Sequence, residues 1–316
     1  MGTTAPEIAV VIPTRARETR LAFALESLVG QLDPGRFEVI VVRDADARGP
    51  FARAPEGLAV RFLRLPGVAG PTAKRNLGWR AAEASLVAFT DDDCRAAPAW
   101  LDALLAAADG PGSFLQGRTA PDPDERQLLH GLARSVDVSA PTGWFETCNM
   151  AYPRALLERL GGFDEAYDFG GEDTDLAWRA IESGAEPRFV AGALVWHAVS
   201  SRTFPRALAE AIRWRDLPAV VARHPGLHDS LHRRHFWNRE HMTLAIALAG
   251  VPLARRAPAL AALAAIPYLS ARLNWREPHP RRLARGLATL PMFAAVDAVE
   301  VASRLPAAIR HHVAVL

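Results

Sequence analysis

The sequence has little cysteine and almost no lysine. Cys94 and Cys148 are the only two cysteines among 316 residues, which excludes a disulfide framework and a zinc site built from cysteines. A reducing, cytoplasmic compartment is therefore expected, and the short polar segment 1–6 predicts no signal peptide. Lys74 is the only lysine, and the formal net charge is +2. This near balance argues against a dedicated nucleic-acid-binding protein, because such proteins concentrate positive charge.

Apolar runs alternate with segments of helical periodicity through the first third of the chain. The strand-like runs cover 8–12, 38–42, 59–63 and 86–89, and the helical patterns cover 19–29, 72–84 and 99–108. This alternation predicts βαβ units, and so an α/β, Rossmann-like fold with a mostly parallel sheet flanked by helices. Ligands bind at the carboxyl ends of the strands in such sheets. The polar residues that follow Ile12, Val42 and Phe89 are therefore the first candidates for a functional site.

The character of the chain changes near residue 205. Before it, helices are predicted at 154–160 and 174–182, followed by two short strands at 187–191 and 193–196. After it the sequence is apolar, helical and interrupted by prolines. We therefore expect a catalytic domain at 1–205 and a helical C-terminal region at 206–316.

The apolar stretches of the C-terminal region, 242–254 and 257–271, are too short to span a bilayer, which takes about 20 residues. Arginines flank them. Two placements fit this pattern. The helices pack on the catalytic domain, or they make a peripheral contact with the inner face of the cell membrane.

Three consecutive carboxylates, Asp91, Asp92 and Asp93, follow the strand at 86–89. Their mutual repulsion is costly unless a cation or a hydrogen-bond donor compensates it. Mg²⁺ and Mn²⁺ prefer oxygen ligands and often connect a carboxylate to substrate phosphates. The alternative is a solvated turn that leads into the next helix.

Two further motifs carry acidic or metal-binding side chains. Glu172 and Asp173 follow two glycines at the start of a predicted helix, where they either cap the helix or supply a general base. His197 ends a predicted strand, where a neutral imidazole is either structural or completes a metal shell. Lys74 and Arg75 lie just inside another helix, and they form either a solvated basic face or a contact to a diphosphate.

An ordered set of motifs between residues 7 and 200 resembles glycosyltransferase family 2. The motifs are IAVVIPTR at 8–15, FEVIVVRD at 37–44, KRNLG at 74–78, VAFTDDD at 87–93, CNMAY at 148–152, GGFDE at 161–165, GEDTDLAWR at 171–179 and His197. The resemblance implies the family's GT-A fold. It also implies inverting transfer of a sugar from a nucleoside-diphosphate sugar to an acceptor hydroxyl.

The resemblance further implies a role for each matching residue. The residues expected to bind the donor are Pro13, Thr14, Arg15, Asp44, Lys74, Arg75, Asp91 and Asp92. Among them, Asp91 resembles the acid that holds the ribose. Asp93 resembles the ligand of Mn²⁺ or Mg²⁺ in the Asp-x-Asp motif, with His197 as a further ligand. Asp173 is similar to the catalytic base, and Glu172 is the second choice.

One position departs from the family pattern, since Arg43 stands where the second strand often carries an acid. The base of the nucleotide is therefore left open, and so is the acceptor, which is a glycan, a lipid-linked sugar or a small metabolite. A nucleotidyltransferase and a catalytically inactive nucleotide-sugar-binding protein are the two alternative functions.

Overall fold

The computed structural model describes residues 5–15, 17–46, 53–167, 170–273 and 280–316. The chain divides into two compact units. The first comprises Met1–Leu129 and Ala133–Ser200, and the second comprises His130–Leu132 and Ser201–Leu316. The division at Ser200 lies close to the boundary expected at residue 205, and the separate roles expected for the two regions stay predictions.

The first unit is built on one sheet of eight strands. The strands are β1 (Ile8–Thr14), β2 (Phe37–Asp44), β3 (Val60–Leu65), β4 (Leu86–Thr90), β5 (Cys94–Ala96), β6 (Ser113–Pro121), β7 (Asn149–Pro153) and β8 (Glu186–His197). Their order across the sheet is β3-β2-β1-β4-β7-β6-β8-β5. The four strands β3, β2, β1 and β4 are parallel, as are β6 and β8, while β7 and β5 run antiparallel to their neighbours. The predicted α/β fold with a mostly parallel sheet is confirmed.

Helices cover both faces of this sheet. They are α1 (Glu18–Glu26), α2 (Pro71–Ala81), α3 (Trp100–Ala107), α4 (Arg154–Leu160) and α5 (Glu172–Glu182). One apolar cluster contains side chains of α1 and α3, and a second contains side chains of α2, α4 and α5. Every residue of β1 is buried, as expected for a strand covered on both faces.

Three strands lie outside the predicted pattern, namely β5, β6 and β7. β7 pairs with β4 on one side and β6 on the other, so its conformation is set by tertiary contacts that local sequence does not reveal. β8 is one strand of 12 residues where two were predicted. The break expected at Gly192 is instead a register irregularity, because Gly117 of β6 pairs with Val190 and the next residue pairs with Leu194.

The second unit is helical. Its helices are α6 (Phe204–Ala211), α7 (Leu217–Arg223), α8 (Arg239–Gly250), α9 (Pro258–Leu273) and α10 (Pro280–Arg310), with short 3₁₀ segments at Ile212–Trp214, Pro225–Ser230 and Val251–Leu253. Within the described part of the chain, the stretch 286–310 of α10 alone is long and apolar enough to cross a bilayer, judged by length and composition.

Gly78 fixes how closely α2 approaches the sheet. A Cβ atom built on Gly78 would lie 2.4 Å from Cγ1 of Val11 in β1 and 3.3 Å from Cγ2 of Val42 in β2. Both valines are fully buried, so neither side chain has free space into which it can move.

We predict that Gly78→Ala destabilises the fold by about 1–3 kcal/mol, the usual cost of overpacking a core. The clash outweighs the helix propensity of alanine, which favours it over glycine by about 1 kcal/mol. Gly112→Ala is the matched control, because a Cβ there meets nothing within 4 Å. Urea unfolding of both variants measures the difference, and equal midpoints would contradict the prediction.

Candidate active site

Polar side chains lie close together at the carboxyl ends of the parallel strands β1, β2 and β4. Thr14 ends β1, Asp44 ends β2, and Asp91 follows the last residue of β4. The hydroxyl of Thr14 donates to Oδ2 of Asp92 at 2.6 Å, which ties β1 to the acidic triplet. Pro13 is buried beside Thr14, and Arg15 is exposed. The structure thus brings together the residues that the sequence places after these strands.

The three acids of the triplet have different partners. Asp91 accepts from Arg75 at 2.8 Å, while Asp92 and Asp93 both pair with the guanidinium of Arg17. Asp92 is fully buried, whereas the side chains of Asp91 and Asp93 keep 25% and 17% of their surface exposed. Asp91 and Asp93 are therefore the acids that a ligand can reach. Binding of donor by Asp92 stays a prediction.

Burial raises the pKa of Asp92 to about 6, although the charge of Arg17 and the hydrogen bond from Thr14 act in the opposite direction. Arg17 was not among the predicted site residues. Little in the sequence indicates a role for Arg17, because it lies two positions after the motif at residues 8–15. In the structure its positive charge compensates the two acids.

His197 lies beside Asp93 and presents a nitrogen that can bind metal. Strand β5 pairs antiparallel with β8 so that Cys94 is opposite His197. Nδ1 of His197 lies 2.8 Å from the carbonyl oxygen of Ala198, and because that oxygen only accepts, Nδ1 carries the proton. The lone pair of the neutral ring is then on Nε2, which lies 3.9 Å from Oδ1 of Asp93.

The donor set of Asp93 and His197 fits a divalent cation. Two ligands at about 2.1 Å from one ion can lie up to about 4.2 Å apart, and the 3.9 Å separation falls within this limit. The thiol of Cys94 is also close to both. A hydrogen bond with Cys148 and burial raise the pKa of Cys94 well above its ordinary value. Cys94 therefore stays a thiol, and a thiol is a poor ligand for a hard cation.

Lys74 and Arg75 are both buried, which excludes the solvated basic face as an explanation for them. Nζ of Lys74 lies 3.0 Å from Oδ2 of Asp44, and the other oxygen of Asp44 accepts from the backbone N–H of Ala69 at 3.1 Å. Asp44 is thereby fixed at the end of β2. Arg43 donates to Glu18 of α1 at 2.6 Å, so this departure from the family pattern connects β2 to a helix.

Arg75 connects the acidic triplet to the start of α5. Its guanidinium donates to Asp91 at 2.8 Å and to Glu172 at 3.1 Å. Burial alone would lower the pKa of Arg75, but the charges of Asp91, Glu172 and Asp173 outweigh it and raise the pKa. The two acidic motifs that lie 80 residues apart in sequence are therefore held together by one cation.

Asp173 differs from Glu172 in its surroundings. Glu172 is buried and bound to Arg75, whereas Asp173 is half-buried and accepts backbone N–H groups from Thr174 at 2.9 Å and Thr147 at 3.4 Å. Burial raises the pKa of Asp173 to about 8, and the charge of Glu172 adds to this rise while Arg75 opposes it. Asp173 has the pKa and the access that suit a general base near neutral pH.

The loop before β7 contributes a further, half-buried acid that the sequence did not single out. Glu146 accepts from Gln116 at 3.1 Å and from Thr142 at 3.3 Å, and burial raises its pKa. Its charge also raises the pKa of Asp173. Phe145 of the same loop is buried and packs edge-on against Phe114, so core packing accounts for this aromatic ring.

Comparison with known proteins gives one family. The model described as glycosyl transferase family 2 matches residues 9–162. A pre-mycofactocin glycosyltransferase of Mycobacterium tuberculosis is 32% identical over 209 residues, covering 60% of this chain and 42% of that protein. A validoxylamine A glucosyltransferase of Streptomyces hygroscopicus subsp. limoneus is 30% identical over 215 residues, covering 55% and 48%. The chain thus covers less than half the length of these relatives.

Solved structures share the fold over nearly the whole chain. A mannosyltransferase of Pyrobaculum calidifontis, in complex with GDP-Man and Mn²⁺, has a TM-score of 0.56 at 20% identity and covers 96% of this chain and 88% of its own. S. aureus TarS in complex with UDP-GlcNAc has a TM-score of 0.51 at 16% identity, with 97% and 92% covered. At these identities the likeness shows the fold alone, and the predicted GT-A fold is confirmed.

The raised pKa of Asp173 predicts a pH-dependent cost in stability. In the unfolded chain an aspartate loses its proton near pH 4, whereas in the folded protein Asp173 keeps it up to about pH 8. Between these values the folded state binds more protons, so its stability falls as pH rises. We predict that Asp173→Asn removes this fall. Its melting temperature relative to the wild type should rise from about pH 4 to about pH 8.

Asp33→Asn is the control for this measurement. Asp33 is exposed in the loop before β2, near the amino end of that strand, whereas the candidate site lies at the carboxyl ends of the strands. Melting temperatures of the three proteins across the pH range give the comparison. A difference between Asp173→Asn and the wild type that does not change with pH would contradict the prediction.

Proposed function

The chain belongs to glycosyl transferase family 2 through residues 9–162, and from this premise we propose its activity. The protein transfers a sugar from a nucleoside-diphosphate sugar to an acceptor hydroxyl in an inverting single displacement that depends on a divalent metal. The observation that carries the proposal is the double contact of Arg75 with Asp91 and Glu172. This contact joins the acids after β4 to the acids at the start of α5, one of which, Asp173, is the proposed general base.

The donor site is proposed at the ends of β1, β2 and β4. Thr14 and Asp44 are both held in place, Thr14 by its hydrogen bond to Asp92 and Asp44 by its ion pair with Lys74. A nucleoside that enters this edge meets groups whose orientation is already fixed, which reduces the entropy lost on binding. Arg75 is proposed to contact the diphosphate, since guanidinium groups bind phosphate oxygens in pairs.

Asp93 and Nε2 of His197 would hold the metal ion, and a bound Mn²⁺ or Mg²⁺ supplies positive charge that stabilises a diphosphate leaving group. The protein's own contribution is geometric. The bond from Nδ1 of His197 to the carbonyl of Ala198 fixes the tautomer and directs Nε2 toward Asp93, as second-layer hydrogen bonds do in metal sites.

Asp173 is proposed to accept the proton of the attacking hydroxyl. Glu172 is less suited to this role, because it is buried and its carboxylate is bound to Arg75. Two backbone N–H groups orient Asp173. Because burial and the charge of Glu172 raise the pKa of Asp173, the ionised carboxylate is a stronger base than a solvated aspartate.

The acceptor is proposed only as a class, a molecule with a nucleophilic hydroxyl, whether a glycan, a lipid-linked sugar or a small metabolite. The cytoplasmic location and the absence of a nucleic-acid partner likewise stay predictions. The relatives and neighbours named above guide the choice of donors to be tested, which include GDP-Man and UDP-GlcNAc because two structures of this fold contain them.

The first test is thermal stabilisation by a panel of UDP-, GDP- and dTDP-sugars with Mn²⁺ or with EDTA. A ligand that binds only the folded state raises the melting temperature by mass action. We expect one class of donor to give a shift that requires Mn²⁺ and is lost in Asp93→Asn. Asp33→Asn, near the amino end of β2, should behave as the wild type. The absence of a shift with every donor would contradict the proposed donor site.

The second test separates binding from chemistry. Asp173→Asn should still be stabilised by the donor, but its turnover of donor should fall by about 10²–10⁴-fold, the usual effect of removing a general base. Glu172→Gln should in addition weaken stabilisation by the donor, because it removes the carboxylate that holds Arg75 in position. Product analysis decides the reaction class. Release of a nucleoside diphosphate supports sugar transfer, release of pyrophosphate indicates a nucleotidyltransferase, and donor binding without turnover indicates an inactive binding protein.

A further inference from the structure

Helices α8 and α9 expose an unusual number of large aliphatic side chains. Seven of them in the segment 246–266 have between 42% and 61% of their surface exposed. They are Ile246, Leu248, Val251, Leu253, Leu260, Leu263 and Ile266. The two helices pack closely, since a Cβ on Gly250 would lie 2.7 Å from Cβ of Ala264. We call the exposed part, 246–266, the aliphatic surface.

Two polar side chains of the same helices, those of His241 in α8 and Tyr268 in α9, lie inside the unit and contact side chains of α10. Nε2 of His241 lies 2.9 Å from Glu300 of α10, and Arg304 lies 3.0 Å from Nδ1 of the same ring. The hydroxyl of Tyr268 donates to Asp297 at 2.6 Å. All five residues are buried. The side of α8 and α9 that faces α10 thus carries ionisable groups, while the segment 246–266 exposes aliphatic ones.

This distribution is the reverse of the one that water favours. A helix on the surface of a water-soluble protein turns its apolar stripe toward the core and its charged side chains outward. Ionisable residues that face the interior of a helix bundle and pair with one another are typical of proteins in contact with lipid. A contiguous exposed apolar surface is also a general mark of an interaction site.

The charges around the aliphatic surface identify its partner. No aspartate or glutamate occurs between residues 241 and 276, whereas Arg255 and Arg256 stand at the turn between the two helices. Both arginines are exposed. Anionic lipid headgroups attract such arginines at about 1 kcal/mol each. A symmetric pairing of this surface with a second copy would instead bring four arginines together without an acid from this segment.

The lengths of the helices favour a position in the membrane surface rather than across it. α8 has 12 residues and α9 has 16, which correspond to about 18 and 24 Å at 1.5 Å per residue. The hydrocarbon core of a bilayer is about 30 Å thick, and two arginines separate the helices. α10 is longer, but its Asp297, Glu300 and Arg304 are buried within the unit.

We propose that the aliphatic surface of α8 and α9 binds the surface of an anionic lipid bilayer. The aliphatic side chains enter the boundary between headgroups and acyl chains, and Arg255 and Arg256 contact lipid phosphates. This inference goes beyond the proposed sugar transfer and does not rest on it. The residues of the C-terminal region that make the expected peripheral contact are then those of the aliphatic surface, together with Arg255 and Arg256.

The test is flotation of the full chain with vesicles of phosphatidylcholine alone or mixed in equal amounts with phosphatidylglycerol. The wild type should float with the anionic vesicles. Leu260→Glu combined with Leu263→Glu should reduce the partition coefficient at least about tenfold, because charge at these positions opposes entry into the apolar boundary. Val68→Glu is the control, since Val68 is 72% exposed in the first unit, and it should float as the wild type does.

Arg255→Ser combined with Arg256→Ser provides a second, milder variant whose folding is not at risk from an inserted charge. It should lose about tenfold or more in affinity for anionic vesicles, from about fivefold for each arginine, and its residual binding should depend less on salt. Circular dichroism and cooperative thermal unfolding establish that each variant is folded.

Three results would overturn the proposal. The first is a wild type that does not float with anionic vesicles. The second is that both double variants float as well as the wild type. The third is a wild type that sediments as a dimer without binding vesicles and becomes monomeric in Leu260→Glu/Leu263→Glu, which would make the aliphatic surface an interface between two copies. Resistance of bound protein to alkaline carbonate, with unchanged binding by both double variants, would indicate insertion of another segment.

Discussion

The buried guanidinium of Arg75 is the interaction on which the candidate site depends. Two carboxylates bind it directly, Asp91 and Glu172, and the charge of Asp173 acts on it as well. Acids so close together repel one another, and a single cation that is itself enclosed compensates their negative charge. Removal of one partner from a buried ion pair is costly because it leaves the other charge uncompensated. Arg75 therefore belongs both to the buried interior of the fold and to the candidate site.

Helix α2 carries this cation together with two other anchoring side chains. Lys74 holds Asp44 at the end of β2, and Asn76 binds the carbonyl of Phe163 and the carboxylate of Glu165. Three consecutive residues, 74–76, thus hold four separate segments around one helix. Since Gly78 allows that helix to approach β1 and β2 closely, the packing of the core and the arrangement of charge are set by the same eleven residues.

The sequence predicted the strands β1 to β4 and the acids of the site, because buried parallel strands have continuous apolar runs and their ends carry the polar residues. It did not predict β5 to β7. The short strand β7 is defined by its two neighbours. Arg17 and Glu146 act on Asp92 and Asp173, which are distant from them in sequence. The sequence also did not predict that α8 and α9 expose aliphatic side chains, because an apolar stretch does not show which of its residues face the interior. The local sequence pattern indicates where a helix or strand lies along the chain, whereas tertiary packing decides which of its side chains face the interior.

The pairing of β5 with β8 limits the insertions and deletions that the candidate ligand pair can tolerate. Asp93 directly precedes β5, and His197 ends β8 opposite Cys94. The two candidate ligands are thus placed by the register of a ladder only three residues long. Side chains alternate between faces along a strand, so a slip of one residue reverses them all. Insertion or deletion near this ladder would therefore separate the ligands even if every ligand residue were kept. Exchange of one side chain would alter this candidate pair of ligands and keep its position, whereas a change in the length of either strand would not keep it.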